Sequence, residues 1–253
     1  MKHKIFCFFT LALFVAKTDA QQFISKGTIE FEVITNVKKT MGTSSWAEML
    51  KDQMPTFKTA YYNFSFADNK SIYKFDHYDE KKAKVPEFLR RGEDDNEWYN
   101  DFSAGQTYIQ KNMFGTLLNV KDSIKPIQWK MTNESRLIAG FNCRKAVGII
   151  LDSVYVFAFY TDEITISGGP CTINGLPGMI LGVTIPRLYA SMIATKLTVT
   201  AANESTIKPI VVKKYYTAKQ VKAILDERIK DFGSDQDEDS KKWISQLYWN
   251  TLL

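Results

Sequence analysis

The run Ala60-Tyr61-Tyr62-Asn63-Phe64-Ser65-Phe66-Ala67-Asp68-Asn69-Lys70-Ser71-Ile72-Tyr73-Lys74-Phe75 has the period of a β-strand twice over. Ala60, Tyr62, Phe64 and Phe66 alternate with Tyr61, Asn63 and Ser65, the spacing that turns one face of a strand to a core and the other to water. Asp68-Asn69-Lys70 supplies turn chemistry, because Asp and Asn accept left-handed backbone angles cheaply. Tyr73 and Phe75 resume the alternation, so the run reads as an antiparallel hairpin.

On the N-terminal side, Ile29, Phe31, Val33, Thr35 and Val37 alternate with Thr28, Glu30, Glu32, Ile34 and Asn36, which is another half-buried strand. Between the two, Ser45 and Glu48 form a capping box. Trp46, Met49 and Leu50 give the helix a short apolar face, and Pro55 stops it. On the C-terminal side, residues 79–96 are charged and carry the run Arg90 to Asn96, which predicts an exposed loop. Glu97 to about Met131 alternates β-favouring runs with turn material such as Ser103-Ala104-Gly105. Phe141 to Leu151 and Val154 to Tyr160 flank Asp152-Ser153; the second is apolar almost throughout, as in a strand covered on both faces. Ile193 to Thr200 is a further strand.

The last part changes period. Thr217 with Gln220 is a capping box, Val221, Ile224, Leu225, Ile229 and Phe232 recur at helical spacing, and Gly233 stands where a helix ends. Asp235 to Asp239 precede a last helix with Trp243, Ile244, Leu247 and Tyr248 as its apolar stripe, the acids meeting its positive dipole end. The fold class that follows is α+β, mainly β. It is a curved, half-barrel-like antiparallel β-meander packed against a few helices, including two at the C-terminal end.

Residues 1–20 read as a cleavable secretory signal peptide, with Lys2, His3 and Lys4 as the charged start, Ile5 to Ala16 as the apolar run and Thr18-Asp19-Ala20 as the cleavage site. The run falls short of the roughly twenty residues that cross a bilayer. Cys7 precedes it, where a lipidated cysteine would follow. Cleavage near Ala20 leaves residues 21–253 as one domain, periplasmic or secreted, with no transmembrane segment. Of the chain's 33 basic and 28 acidic side chains, 30 and 27 then remain. So weak and scattered a positive excess predicts no nucleic-acid partner.

Export places Cys143 and Cys171 where disulfides persist, and they are expected to pair. Such a loop closure is worth roughly 3–4 kcal/mol. A metal site lacks ligands, since structural zinc takes four from Cys and His and the mature chain adds only His77. Histidine-based nucleophilic catalysis would rest on that same residue, which sits in a strand pattern. Asp162 and Glu163 are the candidates for a two-carboxylate hydrolase. As neighbours in an extended run, they would point to opposite faces.

Gly168-Gly169-Pro170-Cys171-Thr172-Ile173-Asn174-Gly175-Leu176-Pro177-Gly178 is the most unusual stretch. In Leu176-Pro177-Gly178-Met179, proline presets φ and glycine permits its positive values, which predicts a type II turn. Met179 to Ile185 continues as a strand. A phosphate cradle is excluded, because neither Lys-Ser nor Lys-Thr follows the glycines.

Gly175-Leu176-Pro177-Gly178-Met179-Ile180 resembles, with Met179 in place of leucine, the string that names the GLPGLI family of secreted proteins. Gly140-Phe141-Asn142-Cys143-Arg144-Lys145-Ala146 matches that family's upstream Gly-aromatic-x-Cys-x-Lys-Ala element. Phe159-Tyr160-Thr161-Asp162-Glu163-Ile164 and Gly169-Pro170 follow its intervening pattern, with Phe159 where tryptophan is common. The resemblance is specific from about Gly140 to Lys196. It implies an exported protein of Gram-negative bacteria rich in TonB-dependent outer-membrane transporters, and it carries over no catalytic residue, metal or cofactor.

The function these readings favour is a periplasmic binding or accessory protein whose sheet presents a concave apolar face to an apolar small molecule, a lipid or an envelope protein. Aromatic residues make up 13% of the chain, and Tyr61, Tyr62, Phe64, Phe66, Tyr73 and Phe75 are either that face or ordinary core. The alternatives are a structural partner of an outer-membrane transporter and, behind it, a carboxylate hydrolase.

Overall fold

The computed structural model describes residues 23–42, 45–90, 93–113, 115–151, 153–199, 204–230 and 238–253. In chain order these form β1 (Gly27–Asn36), α1 (Val37–Thr40), α2 (Ser45–Lys51), β2 (Phe57–Ala67), β3 (Lys70–Tyr78), α3 (Glu87–Arg90), β4 (Glu97–Asp101), β5 (Gln106–Met113) and β6 (Thr116–Ser123). β7 (Trp129–Ile138), β8 (Phe141–Ile150), β9 (Val154–Thr161), β10 (Met179–Ile185), β11 (Ala190–Thr198), α4 (Ala218–Lys230) and α5 (Glu238–Leu252) follow.

The eleven strands make one antiparallel sheet in the order β6-β5-β4-β3-β2-β1-β11-β10-β9-β8-β7. Two meanders, β1 to β6 and β7 to β11, are joined by the pairing of β1 with β11, in which Thr28 lies opposite Thr198. β6 and β7 are consecutive in the chain and linked by residues 124–128, yet they are not hydrogen-bonded to each other. The sheet is therefore open along a single seam. Residues of β5 and β6 line the same cavity as residues of β7, β8 and β9, so the sheet curls until its two edges face each other.

The hairpin forms as its sequence dictates. Asp68 (φ 48°) and Asn69 (φ 59°) both adopt the left-handed conformation of a two-residue type I′ turn, setting Ala67 opposite Lys70. That register sends Phe64, Phe66 and Tyr73 into the interior beside Phe31, all fully buried. Tyr73 stacks on Tyr62 at 4.9 Å and meets Trp98 at 5.5 Å between ring centroids. These aromatics are core, not a ligand-facing surface.

The Thr217–Gln220 capping box is present. Thr217 Oγ1 accepts from the Gln220 N–H at 3.3 Å, and Gln220 Oε1 accepts from the Thr217 N–H at 2.8 Å. Val221, Leu225 and Ile229 are buried along α4, while Ile244, Leu247 and Tyr248 of α5 pack on the core. Phe232, Gly233 and Asp235 lie outside the described residues.

Three local expectations are corrected. α2 forms, but Met49 is 64% exposed; Met54, beyond the helix, is buried in its stead. The charged loop at 79–96 contains α3 and buries Val85, whose carbonyl accepts from Arg90 Nε at 2.8 Å. β9 is not covered on both faces, since Tyr155 is exposed; the most fully buried strand is β10.

Candidate functional site

The Gly-Pro-rich stretch is the centre of the architecture. It packs inside the curled sheet, with Cys171, Ile173 and Leu176 buried, as are Ile164 and Ile166 just before it. Glycine is required where the stretch approaches backbone: a Cβ on Gly178 (φ +129°) would lie 2.0 Å from the Thr161 carbonyl oxygen. The turn is not type II. The Gly178 N–H donates to the Leu176 carbonyl at 2.8 Å, an inverse γ-turn centred on Pro177, because the Met179 N–H is already committed to the Ile164 carbonyl at 3.1 Å. In the motif Gly175-Leu176-Pro177-Gly178-Met179-Ile180, Leu176, Met179 and Ile180 are buried, while Gly175 (φ +91°) and Pro177 are exposed. The motif threads the start of β10 into the core.

This plug ties both wings of the sheet together. Asn100 Nδ2 on β4 donates to the Cys171 carbonyl at 3.2 Å, and Trp129 Nε1 on β7 donates to the Asn174 carbonyl at 2.9 Å. Trp98 Nε1 and Thr172 Oγ1 both donate to the Leu253 carbonyl oxygen, at 3.0 and 3.3 Å.

Cys143 and Cys171 do not form the expected disulfide; both are free and buried. The sulfurs face different surroundings. Cys143, on β8, lies 3.5 Å from the Phe141 carbonyl oxygen and feels Glu163, whereas Cys171 (φ 56°) faces Lys111 inside the sheet. Burial pushes each thiol up to about 12, so both are protonated and poor nucleophiles at neutral pH.

Above the plug lies a cavity of about 960 Å³ at the seam. Its walls come from Ile109 and Val120 on one side and from Trp129, Val147, Ile149 and Ile150 on the other, with Ile124 and Ile127 of the connector between them. Asn100, Thr107, Thr172 and Asn174 reach its floor. Their hydrogen bonds are made within the protein: Thr107 Oγ1 donates to the Tyr99 carbonyl at 3.4 Å and Asn174 Nδ2 to the Thr172 carbonyl at 2.7 Å.

Asp122 lines one end of the cavity. Its carboxylate accepts from the Ser123 N–H at 2.7 Å, the Ala218 N–H at 3.3 Å and Lys125 Nζ at 3.4 Å, which also anchors the first turn of α4. Burial alone would raise its pKa, but these donors outweigh it and hold the carboxyl below the usual carboxylate value.

The other candidates lie elsewhere. Asp162 pairs on the surface with Arg144 at 3.1 Å, Glu163 turns to Thr161, and neither lines the cavity. His77 is exposed, bonded to Asp76 at 2.7 Å and stacked on Tyr61 at 4.8 Å. Among the described residues, no group of three or more His, Cys, Asp or Glu side chains could hold a metal ion. No helix among them is long and apolar enough to cross a membrane.

No family model matches the chain, and no curated protein matches it in sequence. Solved structures do resemble it. PNGF-II in its C2 crystal form aligns with a TM-score of 0.51 at 14% identity over 79% of this chain and 32% of that one. The P21 form gives 0.50 at 14% identity over 79% and 33%. The chain thus spans about a third of the length of that protein, and the likeness is one of fold. An uncharacterized conserved protein from Thermus thermophilus aligns at 8% identity over 77% of this chain and 91% of that one, with a TM-score of 0.39.

Proposed function

We propose that this chain is an exported binding protein of a bacterial envelope, and that the groove at the sheet's seam holds an apolar ligand. The observation that carries the reading is the cavity itself. At about 960 Å³ it stands at the upper end of the ~300–1,000 Å³ usual for small-molecule sites. Its walls are largely aliphatic and aromatic, and the side-chain donors of its floor are already engaged. An interior of that kind rewards the removal of hydrocarbon from water and offers little to a polar substrate. Export is supported by the signal-peptide pattern of residues 1–20, and an envelope location by the resemblance to the GLPGLI family. A structural partner of an outer-membrane transporter is the second reading.

Native mass spectrometry of protein purified from its own envelope, compared with the same sample after denaturation, tests the proposal. A small molecule lost on denaturation is the expected result. A clean protein mass, together with failure of the purified protein to take up an apolar dye, would overturn it.

A further inference from the structure

We propose that the groove takes an amphiphile, a long apolar chain ending in an anionic head, with the chain along the seam and the head at Lys130. This rests on the binding reading above and names the chemistry of the ligand.

The tail follows from the walls. Ile109 and Val120 face Trp129 and Ile150 across the seam, and Ile127 closes it on the connector side. The floor contributes polar atoms that are occupied: Asn100 by the Cys171 carbonyl, Thr172 by the Leu253 carbonyl, and the Trp129 indole N–H by the Asn174 carbonyl. Methylene groups match such a surface; a sugar, rich in hydroxyl groups, would find the donors of the floor already taken and recover only part of the hydrogen bonds it gave up to water.

The head follows from the charges. Asp122, Lys125 and Lys130 are the Asp, Glu, Lys and Arg side chains lining the cavity. Asp122 and Lys125 satisfy each other, and Lys125 also donates to Ser123 Oγ at 3.0 Å. Lys130 is exposed, and its side chain makes no hydrogen bond or ion pair among the described residues. Successive strand residues project to opposite faces. Where the Trp129 indole turns inward to Asn174, Lys130 therefore stands at the outer lip. An ammonium there, its stem along the apolar wall and its tip in water, complements a negative head that stays solvated while the chain behind it is withdrawn. A free fatty acid and an acyl chain of an anionic phospholipid share this chemistry.

The test varies the head at constant chain length. The protein is loaded with the neutral apolar dye N-phenyl-1-naphthylamine and challenged with palmitic acid, hexadecanol or hexadecyltrimethylammonium. Palmitate is expected to compete about two- to five-fold better than hexadecanol, the range of one exposed ion pair. Lys130→Glu should remove that preference and leave hexadecanol unchanged. Equal competition by all three heads, or a palmitate preference that survives in Lys130→Glu, overturns the headgroup assignment while the apolar groove stands. Failure of the dye and of all three probes to bind overturns both. Phosphatidylglycerol vesicles separate the two sources. Lipid carried into the soluble fraction with the protein assigns the phospholipid, and palmitate binding without such transfer assigns the free acid; either supports the proposal.

Discussion

The Trp129 indole packs against the bare α-carbon of Gly148, its cross-strand partner: a Cβ on Gly148 would sit 2.8 Å from two carbons of the six-membered ring and 2.9 Å from Ile127. The absent side chain lets the tryptophan reach down to Asn174 and wall the groove at once. Gly148→Ala is expected to lose about 1–3 kcal/mol, the usual penalty for an added core methyl group. In urea unfolding the loss should shrink in a Trp129→Phe background. Equal losses in both backgrounds would show that the indole is not what the methyl group meets.

Gly178 carries a harder constraint, because its missing side chain is replaced by a backbone carbonyl that cannot rotate away. Gly178→Ala is expected to cost more than the ~1–3 kcal/mol of a single strained residue. Pro177, exposed and fixing only its own φ, should cost less than about 1 kcal/mol as Pro177→Ala. Thermal unfolding that ranked the two equally would contradict the 2.0 Å approach to Thr161.

The two thiols give a redox and a pH prediction. Native mature protein should leave Cys143 and Cys171 unreactive to Ellman's reagent at neutral pH, and denaturant without reductant should release both. Silence in denaturant would indicate a disulfide. Because each folded thiol is raised from 9.0 to about 12, its contribution is full below pH 9 and is lost as pH climbs towards 12. Cys171→Ser should therefore flatten the alkaline loss of stability.

Asp122 works in the opposite direction. Its carboxyl is held low, so its contribution is present at neutral pH and is lost as pH falls through its folded pKa. Asp122→Ala removes the acceptor for the Ala218 N–H and should cost about 0.5–2 kcal/mol, the worth of a helix N-cap. Acid titration of the variant should be shallower than that of the wild type. Identical acid profiles would assign the capping energy elsewhere.

What the sequence discloses here is what neighbours can settle between themselves. The Asp68-Asn69 turn and the Thr217–Gln220 box each depend on residues a few positions apart, and both are legible. Met49 departs from its expected burial because a helix as short as α2 packs according to what lies over it, not according to its own period. The γ-turn at Pro177 replaces a type II turn because Ile164, well upstream, claims the Met179 N–H. The groove is hidden for the same reason. Val120, Trp129 and Ile149 belong to β6, β7 and β8 and meet only once β1 has found β11, so no spacing announces them. Of the aromatics that suggest a binding face, Tyr62, Phe64, Phe66 and Tyr73 are core, Phe75 packs partly buried against them, and Tyr61 lies on the other face against His77.

The seam between β6 and β7 has one more property. Everywhere else in the sheet, separating two neighbouring strands means breaking a ladder of backbone hydrogen bonds, but β6 and β7 share none: β6 bonds instead to Tyr216, and the plug ties the two wings through Asn100 and Trp129. The resistance to parting these two edges therefore lies in the hydrogen bonds that the plug makes to Asn100 and Trp129 and in side-chain packing, and the eleven-strand ladder takes no part in it.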